Sequence, residues 1–115
     1  MDTPLRITFH QMPPSPALEA DVRTRVEELQ RLCHRIVSCR VFVDLPHRHH
    51  AQGRHYRVRV EIAVPGAQLV AGHSGEADAS HEDAYVAVGD AFRAARRQLE
   101  SYADREHEVR RPLTP

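Results

Sequence analysis

Every strongly basic residue in this 115-residue chain is an arginine; there are sixteen and no lysine. A guanidinium is a planar fork of five N–H donors. It meets a phosphate through two parallel hydrogen bonds and stacks on flat rings. A cluster of arginines therefore suits nucleic acid, with affinity that falls as salt rises because counterions are released on binding. GC-rich coding also replaces Lys with Arg, so composition alone does not decide the matter. Sixteen carboxylates balance the sixteen arginines, and a formal net charge of zero points to no partner. Placement has to carry the argument. The helical candidates for phosphate contact are Arg23, Arg25, Arg31, Arg93, Arg96 and Arg97. For any one of them an ion-paired surface arginine is an equally good account. Arg96 and Glu100, for instance, have the spacing of a helical pair worth only about 0.3–0.5 kcal/mol.

The other chemistry-bearing cluster is His47, His49, His50 and His55, with Arg48 among them. Imidazoles bind zinc or nickel, but closed zinc sites usually need four well-placed ligands, often thiolates, and no Cys lies in this stretch. No metal and no other cofactor is assigned. Arg48 is a candidate phosphate contact in a basic loop, and a plain solvated loop is the competing account of the same stretch. Cys33 and Cys39 form no CxxC pair and read as buried free thiols in a reducing compartment. No Gly-x-Ser-x-Gly, HExxH or P-loop pattern occurs. His81, Glu82 and Asp83 are consecutive, so they diverge around a helix, and acids suit a helix start. Neither an enzyme nor a small-molecule substrate is expected. There is no run of 18 apolar residues and no apolar segment at the N-terminus, so no membrane partner is expected and a cytoplasmic location is.

These residues need elements to position them. Leu5 to His10 alternates and predicts a strand with Leu5, Ile7 and Phe9 inward. Ser15 can cap a helix whose first residue is Pro16. Leu18, Val22, Val26, Leu29, Leu32 and Cys33 form its apolar stripe, with Arg25 at the stripe's edge. Ser38 to Leu45 and Tyr56 to Val64 predict two further strands, and Pro65-Gly66 a turn. A fourth strand runs from Gln68 to about Ser74, interrupted by Gly72. Ser80, with Asp83 three residues on, predicts the start of the second helix, whose stripe is Tyr85, Val88, Phe92, Ala95, Leu99 and Tyr102. The expected fold is α+β: a two-layer β-α-β-β-β-α domain with a four-stranded mixed sheet and both helices on one face. The first two strands are parallel across a helical crossover, and Arg40, Arg57 and Arg59 lie on the open face. Only Phe42 offers a ring there, fewer than a base-stacking sheet uses, which favours shape and phosphate recognition over sequence reading. Residues 1–105 form the domain, and 106–115 are expected to be a flexible tail.

Four stretches carry a family likeness. They are Ala17-Leu18-Glu19-Ala20-Asp21-Val22, the run from Leu29 to Arg35-Ile36, the alternating Tyr56–Val64, and Asp83-Ala84-Tyr85-Val86-Ala87-Val88 continued by Ala95-Arg96-Arg97-Gln98-Leu99. In these the chain resembles the bacterial ribosome hibernation-promoting factors, or sigma-54 modulation proteins, over about residues 5 to 105. The resemblance implies two helices on one side of a four-stranded sheet. It implies binding to small-subunit ribosomal RNA in the channel used by messenger RNA and tRNA, which silences idle ribosomes in starvation and stationary phase. By position, Arg25, Arg35 and Arg97 fall where that family tends to be basic. Two departures stand out. The family's Lys-rich end of the last helix is here the nearly neutral Glu100-Ser101-Tyr102-Ala103-Asp104-Arg105, and there is no room for the C-terminal domain with which long forms pair two ribosomes. The reading is a short form or a ribosome-binding piece of a longer protein. Its rival is a same-fold protein-interaction module that no longer binds ribosomes. On the first reading, affinity for ribosomes at constant salt rises as pH falls from about 7.5 to 6, because imidazoles beside Arg48 gain charge. A flat affinity over that range removes the role of His47, His49 and His50.

Overall fold

Alternation and capping chemistry set the elements of this computed structural model, which describes residues 4–46, 55–72 and 83–110, the last five as backbone only. Strand β1 (Leu5–His10) is followed by helix α1 (Pro16–Leu32), strands β2 (Ser38–Asp44), β3 (Arg57–Val64) and β4 (Ala67–Gly72), and helix α2 (Ala84–Arg110). The sheet order is β1-β2-β3-β4, with β1 parallel to β2 and the other two pairs antiparallel. This is the expected two-layer α+β architecture.

Ser15 caps α1 as its position predicts. Its Oγ accepts the Leu18 backbone N–H at 3.2 Å, and Pro16, which has no N–H to satisfy, opens the helix. Asp83 caps α2. Its side chain accepts the Tyr85 N–H at 2.8 Å and its carbonyl accepts that of Ala87 at 3.0 Å, so the helix starts at Ala84; Ser80 lies outside the described residues. The apolar stripe shifts accordingly. Ala84, four residues before Val88, packs against the core, while Tyr85 is exposed. Leu32 also departs from its stripe and is exposed at the last turn of α1, leaving Leu29 and Cys33 to fill the core there. The helix expected to end near 105 continues to Arg110, because no Gly or Pro interrupts the chain between Gly89 and Pro112.

Strict alternation on β2 and β3 sends Cys39, Val41, Val43, Val58, Val60, Ile62 and Val64 to one side, where they are buried under both helices. Arg40, Arg57 and Arg59 go to the open side. Val64 and Ala67 pair across the two-residue turn Pro65-Gly66, where Gly66 has φ +79°, the left-handed value that the third position of a Pro-Gly turn needs. Gly72 ends β4 at φ +139°, and a Cβ there would sit 2.2 Å from the Val58 carbonyl oxygen, so only glycine fits. Among the described residues, polar bonds tie α2 to β4 and to the β3–β4 turn. Gln98 Nε2 donates to the Val70 carbonyl at 2.7 Å, and the Tyr102 hydroxyl donates to the Pro65 carbonyl at 3.0 Å.

Both cysteines are buried and free. Burial pushes the Cys39 thiol up from 9.0 to about 11, since the apolar surroundings penalise the thiolate. The folded state thus holds this proton more tightly than the unfolded chain does. Its contribution to stability is complete below pH 9.0 and is lost as pH rises towards 11. Urea unfolding at a series of pH values should show the parent chain weakening across that interval more steeply than Cys39→Val.

Candidate nucleic-acid interface

Because both helices cover the same sheet face, α1 and α2 lie side by side and leave a groove of about 410 Å³ between them. Arg25 and Arg31 line it from α1, and Arg93 and Arg96 from α2. Leu29 and Phe92 form its floor, Leu32 its apolar rim, and Glu28 is the one carboxylate in the lining. Four of the candidate arginines therefore converge on one concave surface. Arg23 and Arg97 are exposed elsewhere on their helices, and Arg35 is half-buried in the connection between α1 and β2; none of the three lines the groove. Arg48 and its neighbouring histidines, apart from His55, lie outside the described residues. Among the described residues no group of His, Cys, Asp or Glu is placed to hold a metal ion.

The charge on this surface is partly compensated. Arg23 pairs with Glu19, Arg25 with Asp21, Arg93 with Asp90, and Arg96 with Glu100. Among the described residues neither Arg31 nor Arg97 has a carboxylate within ion-pair distance. The geometry of two pairs limits how much they block. Arg25 gives its Nε to Asp21 at 2.8 Å, and Arg96 gives its Nε to Glu100 at 3.4 Å. Since each guanidinium has five N–H donors, the terminal nitrogens remain for another acceptor. The Arg96–Glu100 pair is exposed, and pairs of that kind are worth roughly 0–1 kcal/mol, so a dense run of phosphates can compete with it; the Arg25–Asp21 pair is half-buried.

Gly89 sets the depth of the groove at Arg25. Both terminal nitrogens of Arg25 lie 3.5 Å from where a Gly89 Cβ would stand. A glycine inside a helix is costly by about 1 kcal/mol relative to alanine, and that cost is the signal in the sequence that marks this position.

The family described as "Sigma 54 modulation protein / S30EA ribosomal protein" matches residues 5–107, nearly the whole chain. The chain belongs to this family. Among solved structures, it is similar to a ribosomal subunit interface protein from Coxiella burnetii. That likeness has a TM-score of 0.69 and 17% identity over 87% of this chain and 97% of the other. It is also similar to the N-terminal domain of Protein Y from Thermus thermophilus, with a TM-score of 0.68 and 17% identity over 88% of this chain and 99% of the other. At that identity the two structures speak for the fold alone. No curated protein sequence matches. Among the described residues no helix is long and apolar enough to cross a membrane. Within this Sigma 54 modulation/S30EA member, Gly89→Ala should raise stability by about 0.5–1 kcal/mol in urea unfolding, because a methyl at 3.5 Å is ordinary contact and the helix gains propensity. Gly89→Leu should not, because its side chain must displace Arg25.

Proposed function

We propose that this chain is a ribosome-associated translation inhibitor of the hibernation type. It binds ribosomal RNA of the small subunit and occludes the channel used by messenger RNA and tRNA. The observation that carries the reading is the convergence of Arg25, Arg31, Arg93 and Arg96 on one groove between α1 and α2. Such a surface fits a folded RNA backbone: several forks close together, an apolar floor that is not a base-reading platform, and carboxylates that orient the guanidinium groups. Family membership supports association with ribosomes, and so does the description of a structural relative as a ribosomal subunit interface protein. The mechanism is steric. A rigid two-layer domain fills space that substrates of translation must enter, and it needs no cofactor and no catalytic group. Stress and stationary phase are when such an inhibitor acts, and the cytoplasm is where it meets ribosomes. Arg23, Arg35, Arg48 and Arg97, away from the groove or outside the described residues, are assigned to flanking RNA contacts.

The rival reading, a protein-interaction module that has lost ribosome binding, draws on the carboxylates beside Arg23, Arg25, Arg93 and Arg96. Sucrose-gradient sedimentation with separated ribosomal subunits distinguishes the two. The chain should travel with the small subunit at about 50 mM salt and be released towards about 300 mM, as counterion release requires. Combined Arg25→Ala, Arg31→Ala and Arg96→Ala should weaken binding by at least about tenfold and make the salt dependence shallower, by roughly one unit of slope per lost phosphate contact. Absence from the small-subunit fractions at both salts favours the rival.

A further inference from the structure

The open face of the sheet, opposite the helices, carries an ordered constellation that the groove does not use. Outward positions align in rows across the strands. Arg6 on β1 is level with Arg40 on β2, which faces Glu61 on β3. In the next row Thr8 is level with Phe42, which faces Arg59, which faces Gly72 on β4. In the third, His10 is level with Asp44, which faces Arg57. The three rows hold four arginines against two carboxylates.

The centre of this face is built rather than loose. The Arg59 guanidinium lies over the Phe42 ring, 4.6 Å from its centroid. Glu61, whose side chain is 13% exposed, lies 3.2 Å from Arg59 Nε as an ion pair and accepts a hydrogen bond from Arg40 at 2.7 Å. A ring below and a carboxylate beside Nε thus hold the guanidinium at this place on the sheet. Among the described residues nothing covers its other side: Arg59 remains 54% exposed, and Gly72 beside it has no side chain. Like charges at directly opposed positions are unfavourable, yet Arg6 stands level with Arg40 and has no carboxylate partner among the described residues. An anion bound between them relieves that repulsion.

We infer that this face is a second RNA site, in which an unpaired base stacks on the outer side of Arg59 above Phe42 while Arg6, Arg40 and Arg57 take the adjoining phosphates. One ring alone is a poor base platform, but a guanidinium fixed on that ring supplies a second flat layer, and bases stack on guanidinium planes as well as on aromatics. An acidic peptide matches the charge but leaves the stack unused. Thr8, level with Phe42, places a hydroxyl where a ribose 2′-OH can meet it, which favours RNA over DNA. The site stands on the sheet-face geometry and does not require the ribosome reading.

Fluorescence anisotropy with a labelled ten-nucleotide single-stranded RNA of mixed sequence and the full chain tests this. Phe42→Leu should weaken binding about fivefold to a hundredfold, the range that loss of one stacked base gives. Arg59→Lys, which keeps the charge but loses the plane, should do the same without changing the salt slope, whereas Arg6→Gln should make that slope shallower. The chain has no tryptophan, so Phe42→Trp adds a single reporter whose fluorescence the RNA should quench on binding. The result that overturns the proposal is an RNA affinity unaltered by Phe42→Leu and Arg59→Lys, or an unquenched Phe42→Trp at saturating RNA. Loss with Arg25→Gln alone would move the oligomer to the helical groove, overturning the sheet site and leaving the ribosome reading in place. Equal binding of the DNA decamer, or of a ten-residue glutamate peptide, overturns the assignment to RNA.

Discussion

Burial of one sheet face under two helices is the constraint from which the rest of this molecule follows. Four strands with side chains alternating in and out make one apolar surface, and that surface must be covered to be worth forming. A single helix is too narrow for four strands, so α1 and α2 share the work and meet along their edges. The residues at that meeting line cannot be core, because they sit beyond each apolar stripe, and they cannot be fully solvated, because the neighbouring helix is close. Long side chains with apolar stems and charged ends suit such a position. Arg25 and Arg31 on one side and Arg93 and Arg96 on the other occupy it.

The same constraint explains why the carboxylates are where they are. A helix that presents arginines on one edge places acids within reach at three or four residues' distance, as Asp21 does for Arg25 and Glu100 for Arg96. These pairs contribute little to stability when exposed, but they limit the orientations of long flexible side chains. On the sheet side Glu61 has a similar office for Arg40 and Arg59. The molecule is therefore neutral in sum and patterned in detail, with acids beside the arginines they steer.

Much of the fold was legible in the sequence because it rests on short-range rules. Period two in Tyr56–Val64 and the Ser15-Pro16 start of α1 each depend on a few neighbouring residues, and both strand and cap appear where those residues put them. The start of α2 is not fixed by local chemistry, because Ser80 and Asp83 are both good caps; in the fold Asp83 takes the Tyr85 N–H. Tyr85 and Leu32 continue the apolar stripes yet stand exposed, because a stripe fixes a face of a helix but not where along it the sheet ends. Of the interface, the residue types were legible and the grouping was not. That Arg25, Arg31, Arg93 and Arg96 share a groove while Arg23 and Arg97 do not depends on how two helices are rotated against each other. The placement of the Arg59 guanidinium over the Phe42 ring depends on the register of β2 against β3, which no local pattern supplies.

Strand β4 reads Ala-Gln-Leu-Val-Ala-Gly and forms one border of the sheet with neither charge nor proline to discourage a foreign strand from adding to it. The Gln98 amide, reaching down from α2 to the Val70 carbonyl, takes up an acceptor in the middle of that border. A visiting strand would have to break this bond to continue its ladder past Val70. That one glutamine thus adds the cost of a lost hydrogen bond to any extension of the sheet at this border, a hazard that grows with the protein's own concentration.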